Sequence, residues 1–406
     1  MNTKKGQEPK ELPENDHRVL GQRMDLFSFH DVSPGAPFWH PKGMAIFKEL
    51  EKYVRHLQDE HGYLEISTPI MVKKKLFEQS GHWKFFKDDM FRLKVDKEEY
   101  ALKPMNCPET TLVYSHTKRS YRELPLRLAE IGRLHRNELS GVLGGLLRVR
   151  QITMDDAHIF CRRDQIKSEL VGALKLIQKF YQRLGLPVTY GLATRPKKAL
   201  GDVKTWKDTE NTLAEALKEV GLPYKILEGD GAFYGPKIHF DIKDSLERTW
   251  TIGTAQLDFQ MPEQFNLEYI DENGKPQRPA MIHRAIFGSF ERFIGILIEH
   301  FNGALPFWLS PVQVAILPIN DKVTNYCSEI AAKLSRADIR LWTDDRNESI
   351  GKKIRESEMQ KIPYLLVIGD REATSNTVSV REHGKGDVGA QDIDKFLEQV
   401  YNLRVV

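Results

Sequence analysis

The stretch Met154–Cys161, MDDAHIFC, places two carboxylates, an imidazole and a thiol within eight residues. All three group types ligate metals. In extended backbone, successive side chains point to opposite faces. That period puts Arg148, Arg150, Ile152, Met154, Asp156 and His158 on one face, and Val149, Asp155 and Ile159 on the other. Such charged groups on an interior strand are costly unless they line a polar cavity. A solvent-facing polar stripe is the alternative. The preceding extended segment adds Arg136 and Glu138 by the same parity. Further donors are scattered: Cys107 in MNCP, His82 in SGHW, His135, His239, and His283 in AMIHRAIFGSFERF. Spacing alone cannot join donors so far apart. The three cysteines, Cys107, Cys161 and Cys327, argue against a disulfide framework and leave metal binding or burial.

Positioning these groups requires a framework, and the hydrophobic pattern supplies one. Met44, Phe47, Leu50, Val54 and Leu57 recur at helical spacing, and Gly62 ends the helix. YLEISTPIMV reads as a strand whose Pro69 favours a sheet edge or an interface. Leu126–Glu138 and Arg148–Phe160 read as extended, with the glycine-containing loop LSGVLGGLL between them. Helical spacing returns from Ile166 to Tyr181 and around Trp206–Val220, and KIHFDI, TWTIGTAQLDF and NLEYI follow as strands. Consecutive strands with helices set apart predict an antiparallel α+β sheet. From VQVAILPI onward, strands and helices alternate, which predicts a smaller α/β domain with largely parallel pairing. The expected divisions are a solvated leader at 1–20, a first domain at 21–305 and a second at 306–406.

At 406 residues, the chain exceeds what one core supports. Its 40% hydrophobic and 29% charged residues, with no apolar run near the ~20 residues that span a bilayer, predict a soluble, cytoplasmic protein. The opening MNTKKGQEPKELPEND lacks the apolar core of a signal peptide. A net charge of +3 is too small to identify a nucleic-acid partner.

Six segments, read together, resemble the threonyl-tRNA synthetases of the class II aminoacyl-tRNA synthetases. They are MNCP at Met105–Pro108, LPLRLAEIGRLHRNE at Leu124–Glu138, RVRQITMDDAHIFC, GDGAFYGPK at Gly229–Lys237, GTAQLDF at Gly253–Phe259 and MIHRAIFGSFERF at Met281–Phe293. The resemblance implies the class II antiparallel sheet, followed by an anticodon-binding domain. It implies a ligase that joins threonine to its tRNA through a threonyl-adenylate, with ATP and magnesium. The helix at 44–61 and the strand through Pro69 would form a homodimer interface. Arg136 would bind the ATP α-phosphate and the reacting carboxylate, Glu138 would sit near adenine, Arg148 would contact the phosphates, and Arg292 would hold the γ-phosphate with Ser289 one turn before it. One zinc ion per subunit would be held by Cys107, His158 and His283, leaving positions for the amino group and hydroxyl of threonine. Asp156 would accept the substrate hydroxyl's hydrogen bond. Met105, Tyr234, Lys237, Thr254 and Gln256 would complete the amino-acid pocket. His82 would assist transfer to the tRNA ribose, where an imidazole of near-neutral pKa suits a proton shuttle. Asn347, Arg355, Glu372 and Arg381 would read anticodon bases, and the loop Leu139–Leu147 would touch the acceptor end. On this reading Cys161 is a core thiol.

The sequence departs from the family in places. Ile152 stands where many members stack an aromatic residue on adenine, and Met154 where a glutamine is usual. Glu109 and Thr110 replace a common Gly-His. About twenty residues precede the catalytic segment, so a form without the family's N-terminal editing domain is expected, either truncated or naturally short. A same-fold enzyme for serine or proline and a non-catalytic regulator are the competing readings; the three zinc ligands and Asp156 speak against the first, and Arg136 and Arg292 against the second.

Overall fold

The computed structural model describes residues 12–232, 234–244 and 247–404. Residues 1–11 of the expected leader lie outside them. The rest of that leader is not uniformly solvated. A helix, His17–Arg23, begins behind Asp16, whose side chain accepts the Arg18 N–H, and it buries His17 and Leu20. These two stand three apart on one helical face among polar neighbours, so composition hid them.

Two compact units divide the chain. One comprises Asp31–Ala36 and Glu51–Phe293. Its main sheet contains, among the described residues, eight strands: β1 (Leu64–Glu65), β2 (Leu126–His135), β3 (Gln151–Cys161), β4 (Val188–Ala193), β5 (Tyr224–Leu227), β6 (Lys237–Lys243), β7 (Thr249–Asp258) and β8 (Ala280–Ser289). They lie in the order β5-β4-β6-β7-β8-β3-β2-β1. The pairs from β4 to β2 are antiparallel, and only the outer pairs β4/β5 and β1/β2 are parallel. The helices that matter here are α1 (Cys107–Ser115), α2 (Ile166–Leu184), α3 (Val203–Val220) and α4 (Phe290–His300). Helix α2 buries Leu170, Leu174, Ile177 and Tyr181, as its spacing predicts, and stops at Gly185 with φ +66°.

The predicted strand through Pro69 is broken in two. β1 forms an edge of the main sheet, while Met71–Lys73 joins a separate three-stranded sheet. Between them, side chains supplement the backbone bonds that Ile66 and Ile70 keep with Ala129 and Lys103. The Thr68 N–H donates to Glu130 at 2.8 Å, and the buried Lys103 ammonium donates to Glu130 at 2.9 Å and to Thr68 Oγ1 at 2.8 Å. Extended backbone is likewise shorter than predicted near Arg148: β3 begins at Gln151, and Arg148–Arg150 belong to the loop before it.

The other unit contains the described part of the chain up to His30, Pro37–Leu50, and the chain from Ile294. Five strands, β9 (Val314–Pro318), β10 (Leu341–Thr343), β11 (Tyr364–Ile368), β12 (Thr377–Glu382) and β13 (Gly386–Asp392), form a sheet in the order β10-β9-β11-β12-β13. The first three are parallel and the last two form an antiparallel hairpin. Helices α5 (Thr324–Arg336), α6 (Ile350–Met359), α7 (Asp370–Ser375) and α8 (Ile393–Tyr401) accompany it. This alternation of strands and helices matches the pattern predicted from VQVAILPI onward. Among the described residues, no helix is long and apolar enough to cross a membrane.

Candidate active site

Donors far apart in sequence meet at the centre of the main sheet. His158 on β3 and His283 on β8 face each other in register, with ring centroids 4.9 Å apart. Cys107 opens α1. One ligand atom from each of the three lies within 4.8 Å of the others, and all three residues are buried. His158 Nε2 is buried without a hydrogen-bond partner among the described residues. An orphan nitrogen of that kind is costly unless something binds it. His283 Nε2 lies 3.0 Å from Asp258 Oδ2, the carboxylate–imidazole arrangement that orients metal-bound histidines. One sulfur and two nitrogens in a buried set within 4.8 Å of one another fit zinc. Cys161 is fully buried and outside this group, as its parity predicts.

A polar pocket adjoins the three donors. Asp156, two residues before His158 on the same face, accepts from Asn106 Nδ2 at 3.3 Å and lies 4.0 Å from His158 Nε2. Burial raises its carboxyl to about 6, against the opposing pull of His283 and the Asn106 hydrogen bond. Gly132 on β2 makes room for Asn106, since a Cβ there would stand 2.5 Å from Asn106 Oδ1. From the other side, the Tyr234 hydroxyl donates to Gln256 Oε1 at 3.4 Å, and its ring stands 5.6 Å from that of His283. Gln256 pairs in register with both His283 and Lys237, and Thr254 shares its face of β7. Burial lowers the Lys237 ammonium, with Asp230 and Asp241 opposing. Met105 packs on the apolar cluster that includes Cys107, Leu128 and Phe160.

Three guanidinium groups gather beside this pocket. Arg136, just past β2, donates from Nε to Pro104 O at 3.2 Å, and Arg292 on α4 donates from Nε to Leu147 O at 3.0 Å. Arg148 is exposed and pairs with Glu138 at 2.9 Å. Burial lowers Arg292, and the positive charges of Arg136 and Arg148 lower it further. Burial likewise lowers Arg136, with Glu138 the strongest opposing charge. Like charges held together favour an anionic ligand with several charges. The Ser289 hydroxyl donates to Glu291 at 3.0 Å and accepts the Arg292 N–H at 3.1 Å, at the start of α4. Ile152 is buried with Leu134 and Val149, and Met154 packs against them.

His82 departs from expectation. It is 1% exposed, its Nδ1 is 2.8 Å from Ser80 Oγ, and burial, with the nearby charge of His283, lowers it to about 4. That value lies below the near-neutral range expected of a proton shuttle.

In the smaller unit, Asn347 follows β10 and Glu372 lies in α7 after β11, both beyond the finishing ends of parallel strands. One Glu372 oxygen is engaged by the Gly369 N–H at 2.9 Å. Arg355 is exposed on α6. Arg381 pairs in register with Leu365, near the opposite end of β11, and lies 3.8 Å from Glu358.

Sequence reasoning missed Asp258, Asn106, Glu291 and Asp155. Strand period offered a signal for Asp258, which shares a face with Thr254 and Gln256. Asn106 sits inside MNCP but has no periodic marker.

Residues 91–301 match the family model of the tRNA synthetase class II core domain (G, H, P, S and T), and residues 313–403 match the anticodon binding domain. Threonine–tRNA ligases of Carboxydothermus hydrogenoformans and Desulforamulus reducens are each 54% identical over 390 residues, 96% of this chain. The chain spans 62% and 61% of their respective lengths. A crystal structure described as the RNA binding domain of threonyl-tRNA synthetase from Cryptosporidium parvum superposes with a TM-score of 0.92 at 41% identity, covering 96% of this chain and 98% of that one.

Proposed function

The chain belongs to the threonyl-tRNA synthetase family, and on that premise we propose that it activates threonine with ATP and transfers the threonyl group to the terminal ribose of threonine tRNA. The observation that carries this reading is the convergence of Cys107, His158 and His283 beside Asp156, with Arg136 just past β2 and Arg292 on α4 nearby. The three donors would hold one zinc ion. When bound, zinc offers open coordination positions for the amino nitrogen and side-chain oxygen of a β-hydroxy amino acid. Asp156 accepts the hydrogen bond of that hydroxyl, while Tyr234 and Gln256 fix the amino end, with Thr254 and Lys237 bordering the pocket.

Arg136 binds the α-phosphate and the attacking carboxylate together. Its planar fork neutralises charge that builds as the carboxylate oxygen attacks phosphorus and pyrophosphate leaves. Arg292 takes the γ-phosphate, Arg148 contacts the phosphates, Glu138 lies near adenine, and magnesium accompanies the nucleotide. Residues 21–305 would form the catalytic domain. Residues 306–406 would bind the anticodon arm through Asn347, Arg355, Glu372 and Arg381. A homodimer is supported by the edge position of β1 and the exposed apolar side chains of Leu64, Ile70 and Met71 nearby. The work would be done in the cytoplasm.

The test is ATP–pyrophosphate exchange with threonine, serine and valine, together with a zinc assay. His283→Ala should abolish threonine-dependent exchange. Near-normal exchange by that variant, or an optimum on another amino acid, would refute the reading.

A further inference from the structure

The strand that carries His283 is interrupted just before it becomes α4. Ala285 pairs with Asp156 and Ser289 with Met154, so Ile286, Phe287 and Gly288 all stand opposite the single residue Asp155. A bulge of this kind bends its strand and leaves backbone N–H groups without ladder partners. Asp155 takes all three. Its Oδ2 accepts the Ile286 N–H at 2.6 Å, and its Oδ1 accepts those of Phe287 at 3.2 Å and Gly288 at 2.6 Å. Arg284 adds a hydrogen bond at 3.4 Å, and both Asp155 and Arg284 are completely buried. The Arg284 guanidinium lies 4.7 Å from the centre of the Tyr63 ring.

The bulge is held from other directions as well. The Tyr181 hydroxyl on α2 donates to Ile286 O at 2.8 Å. Gly253 on β7 allows a close approach, because a Cβ there would lie 2.3 Å from Ile286 O. Gly288 has φ +72°, a conformation that glycine adopts without strain. Immediately beyond the bulge, Ser289 caps the Arg292 N–H, and Glu291 accepts the Thr153 N–H at 2.9 and 3.0 Å. Arg292 therefore leaves the sheet from a point whose position is set by buried tethers, with Asp155 holding the most backbone.

We propose that Asp155 is a positioning residue for the phosphate end of the nucleotide, acting through the Ile286–Gly288 bulge on Arg292. This rests on the proposed function, in which Arg292 meets the γ-phosphate. Asp155 itself touches no substrate. A carboxylate suits the role because it accepts several hydrogen bonds and donates none, whereas asparagine would turn an NH2 group toward backbone N–H groups.

The test is equilibrium binding of ATP and AMP to the wild type, Asp155→Asn, Arg292→Ala and the double variant, with threonine-dependent exchange measured alongside. Asp155→Asn should weaken ATP about tenfold or more while AMP stays within about twofold, since AMP has no γ-phosphate. On an Arg292→Ala background, the same change should alter ATP binding less than about twofold. Equal losses for ATP and AMP, or losses that multiply in the double variant, would overturn the proposal while leaving the functional reading intact. Wild-type protein without exchange or ATP binding would overturn both. If Asp155→Asn does not fold, Tyr181→Phe removes only a hydroxyl tether from the same bulge. It should shift the ATP-to-AMP affinity ratio by about threefold or more, and an unchanged ratio would overturn the proposal.

Discussion

Replacing Asp258 with asparagine asks whether a buried carboxylate governs zinc affinity through His283. Asp258 Oδ2 lies 3.0 Å from His283 Nε2, while Oδ1 accepts the N–H groups of Gln260 and Met261 at 2.6 and 3.1 Å. Asparagine can keep the Oδ1 contacts, and with them the short helix Gln260–Gln264, while removing the charge that faces the imidazole. An imidazole that donates Nε2–H to a carboxylate keeps its lone pair on Nδ1, and the carboxylate makes that lone pair more basic. Loss of such a partner typically weakens metal affinity ~10–100-fold, equivalent to about 1.4–2.8 kcal/mol. Asp258 is 0% and His283 6% exposed, so little solvent screens the pair, and the upper half of that range is expected. Zinc affinity would be measured by competition against a chromophoric chelator, with thermal unfolding of the metal-free proteins as the control. An affinity within about twofold of wild type would refute the reasoning that Asp258 acts through His283. So would a drop in metal-free stability as large as the drop in zinc binding.

Other expectations follow from the same geometry. Valine lacks the hydroxyl that Asp156 would receive, so its exchange efficiency should fall ~10⁴-fold below that of threonine, while serine, which lacks only a methyl group, should fall ~10–200-fold; comparable values for valine and serine would exclude a hydroxyl-reading pocket. Arg136→Lys should lower kcat for exchange far more than it raises the threonine KM, because lysine cannot bridge phosphate and carboxylate as a planar fork does; an unchanged kcat would remove Arg136 from the reaction centre. Gly132→Ala should push Asn106 away from Asp156 and raise the threonine KM about tenfold, the equivalent of ~1.4 kcal/mol for one lost hydrogen bond to a charged group, with the ATP KM unchanged. In the smaller unit, the Arg346 hydrogen bond holds the buried Asp344 carboxyl below its usual value, against opposing burial. A depressed folded pKa stabilises above the unfolded carboxylate value and ceases to do so as pH falls through the folded value. Asp344→Asn should therefore lower Tm near neutrality, and the gap from wild type should close in acid; a gap that persists there would point to packing instead.

The legible part of the site was the part that obeys strand period. Alternation along RVRQITMDDAHIF separated Asp156 and His158 from Asp155 and Ile159, and it set Cys161 apart from the candidate ligands. Nothing in the spacing joined Cys107 and His283 to His158; that link came from family resemblance, because the sheet joins them across distant segments. The same period, carried two residues past Gln256, could have reached Asp258. It failed at Arg148, because pattern alone cannot say where extended backbone gives way to a loop.

The bulge was illegible for a deeper reason. A period-two reading assumes one residue opposite one residue, and at Ile286–Gly288 three stand opposite Asp155. Read by alternation, Asp155 is simply a carboxylate on the wrong face, and FGS after AMIHRAI is simply a strand running into a helix. Neither anomaly means anything alone. A buried acid needs donors, and three unpaired N–H groups need an acceptor. Each resolves the other only when the segments are brought together. Buried charges near a site, on the face turned away from it, are thus candidates for positioning as well as stability. Asp155 tests that distinction directly, because a purely structural role would affect AMP and ATP alike.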